Sequence, residues 1–283
     1  MFQFACAYSY AKKYDRKIVI DINGYFGYKW NKDSRFLIDK IIPNLHISST
    51  AKWALFFSNG KNLQILGKIL RKIFWQKGVV YNENKLFTYD NELLKNEFYD
   101  GLYGFFQSPH YFESNKDKII SVMKLNISSK YALSFKQKID DNYNSVAIHY
   151  RDYGDLATGD KITKKIMGDV SVQYYKKAIR ILNKKLNNPN YYVFSNNINS
   201  AKKKLADIRE LTFYDYKSKI IWEDMALMSI CKHNIICNSS YSWWSAYLNK
   251  NREKMVVAPK SWGNLLKGKE NNNDLFPNEW ITI

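Results

Sequence analysis

From Asn144 onward the chain alternates short apolar, β-rich runs with helical patterns, and few folds accommodate that alternation. The runs are 144–148 (NSVAI), 191–194 (YYVF), 211–214 (LTFY), 234–237 (NIIC) and 255–258 (MVVA). Their β-branched and aromatic content suits buried parallel strands. Between them apolar residues recur at helical spacing: Val172, Tyr175, Ala178, Ile179, Leu182 and Leu186, then Ile198, Ala201 and Leu205. The spacing returns in Trp222, Met225, Ala226 and Ile230, and in Trp243, Trp244, Tyr247 and Leu248. Strand–helix alternation of this kind predicts an α/β fold built from right-handed βαβ units, a doubly wound nucleotide-binding domain.

Three polar clusters fall where a run stops and a helical pattern starts. They are His149-Tyr150-Arg151 with Asp152 and Asp155, then Ser195, Asn196 and Asn197, then Asn238, Ser239, Ser240, Tyr241 and Ser242. In an open parallel sheet such junctions lie at the carboxyl ends of strands, where ligands bind, so the three clusters should converge on one cleft. Arginine forks and helix N-termini suit anions, which points to a phosphate-bearing ligand. Arg151 can grip a pyrophosphate where lysine would offer a point charge. His149 can hold a phosphate oxygen or donate a proton near neutral pH. The structural alternative pairs Arg151 with Asp152 or Asp155 and ties His149 to backbone. Gly154 and Gly159, in a segment too irregular for a helix, favour a ligand loop. Helix capping alone accounts for Ser195, Asn196 and Asn197. Functionally, that cluster would read a base or ribose edge. Asn238, Ser239, Ser240 and Ser242 exceed what a cap requires and predict a phosphate cradle. Trp243 and Trp244 are expected in the core, and His233 is expected to be structural.

The first half is less regular. A helix is expected over Phe2–Tyr14, a strand over Lys17–Asp21, helices over Ser34–Ile42 and Asn62–Phe74, a strand over Gly101–Phe106 and a helix over Pro109–Met123. The polar stretch Asp140–Asn144 has no apolar periodicity and marks a boundary, giving domains 1–142 and 143–283 of ordinary size.

A formal charge of +18 favours anionic partners, a nucleotide sugar or an anionic membrane face among them. The lysines are spread along helices, as on a solvated surface. No zinc-finger spacing, RNP motif or helix-turn-helix signal is present, so nucleic acid is not an expected partner. Three cysteines, Cys6, Cys231 and Cys237, sit in apolar runs and read as buried thiols of a reducing, cytoplasmic compartment. There is no run of ~18 apolar residues to span a bilayer, and no signal peptide is read. No HExxH, DxD or paired Cys/His spacing appears, so no protein-bound metal is expected.

The stretches 170–179 (VSVQYYKKAI), 191–197 (YYVFSNN), 227–249 (LMSICKHNIICNSSYSWWSAYLN) and 256–262 (VVAPKSW) resemble the bacterial α-1,2-fucosyltransferase family. So do 104–112 (GFFQSPHYF) and the opening MFQFACAYSYAKKY. The resemblance covers nearly the whole chain, with 227–249 its most specific block. It implies a GT-B-type architecture of two Rossmann-like domains, the first on the acceptor side and the second binding the nucleotide sugar. It further implies GDP-fucose as donor, no metal or other cofactor, inversion at the anomeric carbon, and a galactose-containing glycan fucosylated at its 2-hydroxyl. Family members typically open on a strand and a GGLGNQMFQ loop, whereas this chain starts inside that motif at Met1-Phe2-Gln3. The first strand of the N-terminal domain is therefore expected to be missing. The family's HxRRGDY motif reads HYRDYGDL over 149–156, with Asp152 in place of a second basic residue. An aspartate often stands where Asn196 or Asn197 does.

The chemistry fits the residues as well. The leaving diphosphate gains negative charge as the glycosidic bond breaks, and without a metal that charge must meet arginine, histidine and backbone donors. Inversion needs a base at the acceptor hydroxyl, with Asp155 the first candidate and Asp152 the second. Two alternatives stand beside this reading. One is transfer from another GDP-sugar or to another acceptor, a choice lying in the first half with its aromatic segment Tyr25–Trp30. The other is a basic binding protein that keeps the fold without turnover.

Overall fold

Helix α1 (Phe2–Lys13) opens the chain and buries its aromatic and small residues, Phe2, Phe4, Ala5, Cys6, Tyr10 and Ala11. It belongs to the first of two units in the computed structural model, residues 1–124 with 273–276; the second is 125–272 with 277–283. The described residues are 1–21, 38–48, 73, 79–154, 165–216, 219–263 and 274–283. The segment Tyr25–Trp30 and nearly all of the helix expected over 62–74 lie outside them, as do residues 34–37 of the preceding one.

In the first unit β1 (Ile20–Asp21) pairs in parallel with β2 (Ile47–Ser48), and α2 (Ile38–Ile41) precedes β2. A second parallel pair joins β3 (Val80–Asn82) to β4 (Gly101–Tyr103). The strand expected to reach Phe106 stops at Tyr103 because the Glu83 carboxylate captures the N–H groups of Phe105 and Phe106, at 2.6 and 3.1 Å. Gly104 permits that approach, since a Cβ there would sit 2.5 Å from Glu83 Cβ. The continuous helix expected over 109–123 is corrected: short 3₁₀ turns at Pro109–Tyr111 and Glu113–Asn115 precede α3 (Lys116–Val122). Phe112 leaves the helical region at φ −143°, and its ring and that of Tyr111 are buried. Burial of two aromatics, worth about 1.5–3 kcal/mol each, outweighs continuing the helix.

The apolar runs of the second unit form one parallel sheet. Its strands are β5 (Ser145–Tyr150), β6 (Asn190–Ser195), β7 (Leu211–Phe213), β8 (His233–Ile235), β9 (Val256–Ala258) and β10 (Ile281–Thr282), in the order β10-β9-β8-β5-β6-β7. Helices α4 (Lys130–Asp140), α5 (Val172–Asn183), α6 (Ile198–Lys204), α7 (Glu223–Ile230) and α8 (Ser240–Leu248) accompany them. Tyr174, Tyr175, Ala178 and Leu182 of α5 and Ala201 of α6 pack with Val146, Ile148 and Val193 in one core. Ala132, Phe135 and Ile139 of α4 and Leu227 and Met228 of α7 pack with Ala147, Tyr192 and Phe194 in another. Neighbouring residues of one strand thus point into opposite cores, so the sheet is covered on both faces, as parallel sheets require.

Helix α4 is the element that sequence periodicity missed. Its apolar side packs into the second unit, so the division falls after Lys124 and not at the polar stretch Asp140–Asn144, which is only the exposed turn from α4 into β5. Strand order places the topological switch beside β5: the chain steps outward from β5 to β6 and β7, then returns to β8 on the other side. Trp243 and Trp244 are buried as expected, and His233 accepts the Met255 N–H through Nδ1 at 3.0 Å. No helix among the described residues is long and apolar enough to cross a membrane.

Candidate active site

The crevice at a switch point in an open parallel sheet is the default ligand position, and here the ends of β5 and β8 form it. Strand β5 runs two residues beyond the expected Ile148, which puts His149 in the strand and not in a loop. Its Nδ1 lies 3.1 Å from Cys237 Sγ just beyond β8. Burial, then the nearby Arg151 charge, lower the His149 pKa to about 3, and burial pushes the Cys237 thiol up to about 12. Both groups are uncharged at neutral pH. The expectation that His149 donates a proton near neutrality is therefore corrected; it braces β5 against the β8 end. Tyrosine hydroxyls reinforce that join: Tyr153 donates to the Asn238 carbonyl at 2.7 Å, Tyr175 to that of His149 at 3.0 Å and Tyr174 to that of Ile236 at 2.6 Å.

Arg151 follows β5 directly and is partly exposed. Its guanidinium carbon lies 5.8 Å from the Tyr153 ring centroid, and among the described residues no carboxylate is within ion-pair distance. The neighbouring Asp152 is occupied otherwise. Its Oδ1 accepts the Gly154 N–H at 2.7 Å, and its own N–H and carbonyl bond to the side chain of Asn196 at 2.9 and 3.0 Å. Asp155 and Gly159 lie outside the described residues.

The second cluster braces the site. Asn196 spends both polar atoms on Asp152, which links the loops after β5 and β6. Ser195 Oγ accepts the Asn197 N–H at 3.1 Å, and Asn197 caps α6 by accepting the Ser200 N–H at 3.0 Å. In the third cluster the side chains are less available than a four-residue cradle requires. Asn238 Nδ2 donates to the carbonyls of Met167 and Gly168, at 2.8 and 3.0 Å. Ser239 caps α8 by accepting the Tyr241 N–H, and Ser242 is buried with its hydroxyl on the Ser239 carbonyl at 3.1 Å. Ser240 is exposed. What this helix start offers an anion is the first-turn N–H groups that Ser239 does not already take, with Ser240 beside them.

Sequence reasoning missed two neighbours, Tyr153 and Asp224, and gave Tyr241 no role of its own within its cluster. Tyr153 carries the β5–β8 join. Tyr241 places its ring 5.8 Å from that of His149, while its hydroxyl donates to the Ile221 carbonyl at 2.7 Å. Asp224 sits in the first turn of α7, where burial and the adjacent Glu223 raise its pKa to about 7. Glu223 itself is fully buried, accepting the N–H groups of Ser128 and Ser129 and the Ser129 hydroxyl. The junction rule applied to β7 would have found this acidic pair, since α7 is the helix that follows that strand. No group of three or more His, Cys, Asp or Glu side chains gathers as around a metal ion among the described residues.

The family model for glycosyl transferase family 11 matches residues 1–283. An O-antigen biosynthesis glycosyltransferase, WbnK, from Escherichia coli is 28% identical, with 100% of this chain and 96% of the relative covered. An alpha-1,2-colitosyltransferase from the same organism is 27% identical over 100% of this chain and 94% of its own. Among solved structures, NodZ alpha-1,6-fucosyltransferase soaked with GDP-fucose aligns at a TM-score of 0.45 with 12% identity, covering 87% of each chain.

Proposed function

The chain belongs to glycosyl transferase family 11, and from that premise we propose that it moves fucose from GDP-fucose to the 2-hydroxyl of a galactoside in a bacterial surface glycan. Full-length similarity to an O-antigen glycosyltransferase supports a glycan acceptor. The observation that carries the donor assignment is Arg151: a guanidinium with no carboxylate partner among the described residues, at the β5 end of the switch point, with the start of α8 following β8.

The chemistry follows from charge. As the bond from the anomeric carbon to the diphosphate breaks, the leaving oxygens gain negative charge. Arg151 and the first-turn N–H groups of α8 meet it with donors already in place, each typically worth about 3–4 kcal/mol of transition-state stabilisation. No metal or other cofactor is used in this scheme. The acceptor hydroxyl attacks from the opposite face, inverting the centre, and passes its proton to a carboxylate. Asp155 remains the first candidate and Asp152 the second. Asp224 joins them because a carboxyl titrating near 7 is well matched to proton abstraction at neutral pH. The +18 charge supports peripheral contact with an anionic membrane face.

The test is to incubate the purified chain with GDP-fucose and lactose and determine the linkage of the product by NMR. Fucose on O2 of galactose is expected; no transfer to any β-galactoside would refute the assignment. The colitosyltransferase relative favours one second reading, in which the sugar is colitose, the 3-deoxy counterpart of fucose. The ratio of kcat/KM for GDP-fucose and GDP-colitose decides between them.

A further inference from the structure

The first unit holds a cleft that the donor-side chemistry does not use. It lies at the carboxyl end of β3, encloses about 320 Å³ and is walled by Tyr81, Glu83, Asn84, Tyr89, Asn91 and Tyr111. That volume is at the small end of ligand pockets, the size of a mono- or disaccharide. We propose that this cleft binds the carbohydrate acceptor as a neutral polyhydroxyl ligand, an inference that rests on the glycosyltransferase reading above.

The polarity of the lining argues for a neutral ligand. The carboxylates are already committed: Glu83 to the N–H groups of Phe105 and Phe106, and Asp90 to the Tyr81 hydroxyl at 2.6 Å and the Glu92 N–H at 3.0 Å. No lining carboxylate is left without a hydrogen bond, and the one cation in the lining, Lys85, is exposed at the rim, as are Asn84 and Asn91. What remains are the side-chain amides of Asn84 and Asn91 and the Tyr89 hydroxyl, none hydrogen-bonded among the described residues. Each amide presents a donor and an acceptor in one plane, which matches adjacent hydroxyls of a sugar ring. Tyr89 and Tyr111 pack edge to face, 4.9 Å between centroids, and supply apolar wall for the C–H face of a pyranose.

The cleft is also built under constraint. Phe87 and Phe106 hold left-handed backbone at φ 57° and 53°, which bulky residues adopt only when their surroundings impose it. The Glu83 bond fixes the second of these.

The experiment uses the full chain and lactose as the β-galactoside probe. Lactose should slow hydrogen–deuterium exchange across residues 83–91 of the wild type; no protection there overturns the proposal, whether or not lactose is turned over. Two variants follow, the double substitution Asn84→Ala with Asn91→Ala, and Asn91→Trp, which fills the cleft from an exposed position. Each should raise the lactose KM at least tenfold while the GDP-fucose KM moves less than twofold. An unchanged lactose KM in both, or a GDP-fucose KM that rises in step, overturns the proposal. The same exchange experiment with GDP reads residues 238–242, and absence of protection there would count against the donor reading instead.

Discussion

Replacing Arg151 by lysine separates the chemistry of this site from its stability. The guanidinium is partly exposed, and its described contacts are the Tyr153 ring at 5.8 Å and the electrostatic pressure it puts on His149. An exposed cation–π contact is worth about 0.5–1 kcal/mol, and lysine keeps part of it. The fold should therefore lose less than ~1 kcal/mol, which for a domain of this size lowers Tm by about 2–4 °C at most. The transition state loses more. Lysine keeps the charge and forfeits the planar fork, so a bidentate contact becomes a point contact. Loss of one preorganised donor costs about 3–4 kcal/mol, or roughly 10²–10³ in kcat. Steady-state rates with GDP-fucose and lactose, beside thermal melts of both proteins, measure the two effects separately. A variant that keeps kcat within threefold of wild type would falsify the placement of the diphosphate at the β5 end. A Tm drop of ten degrees would show instead that Arg151 holds the fold.

Further outcomes are expected elsewhere. GDP should protect residues 238–242 from hydrogen exchange, since the first-turn N–H groups of α8 are its anchors; unaltered exchange at saturating GDP argues against them. Tyr153→Phe keeps the ring under Arg151 and leaves the buried Asn238 carbonyl without its 2.7 Å donor, which should cost about 1–3 kcal/mol of stability by denaturant titration. Asp224 should make stability fall with rising pH. Its folded pKa near 7 lies above the ordinary value, so its contribution is complete below about pH 4 and is lost by about pH 7. The slope is at most about 1.4 kcal/mol per pH unit, less where solvent screens the group, and Asp224→Asn should remove it; identical pH profiles for variant and wild type would sink the assignment. Turnover should survive excess EDTA, and full loss restored by magnesium or manganese would overturn the metal-free scheme.

The sequence by itself determined the parallel architecture of the second unit. Runs such as YYVF and MVVA and the helical spacing from Val172 to Leu186 are local signals, and burial on both faces of a parallel sheet leaves an uninterrupted apolar run as its mark. It also determined where polar residues would meet, because strand ends in such a sheet share one edge whatever the loop details. The state of each side chain at that edge was a tertiary matter. Asp152 reads as the natural partner of adjacent Arg151, yet its Oδ1 accepts the Gly154 N–H while Asn196, at the end of the neighbouring strand, holds its backbone, and no carboxylate among the described residues pairs with the guanidinium. His149 reads as a group titrating near neutrality, yet burial in β5, and then the Arg151 charge, keep it neutral. The amphipathic face of α4 was present in the sequence, but only the sheet it covers assigns that helix to the second unit. Periodicity reports which side of an element will be buried; what buries it, and which hydrogen bonds remain for a ligand, depends on partners that only the folded register brings within reach.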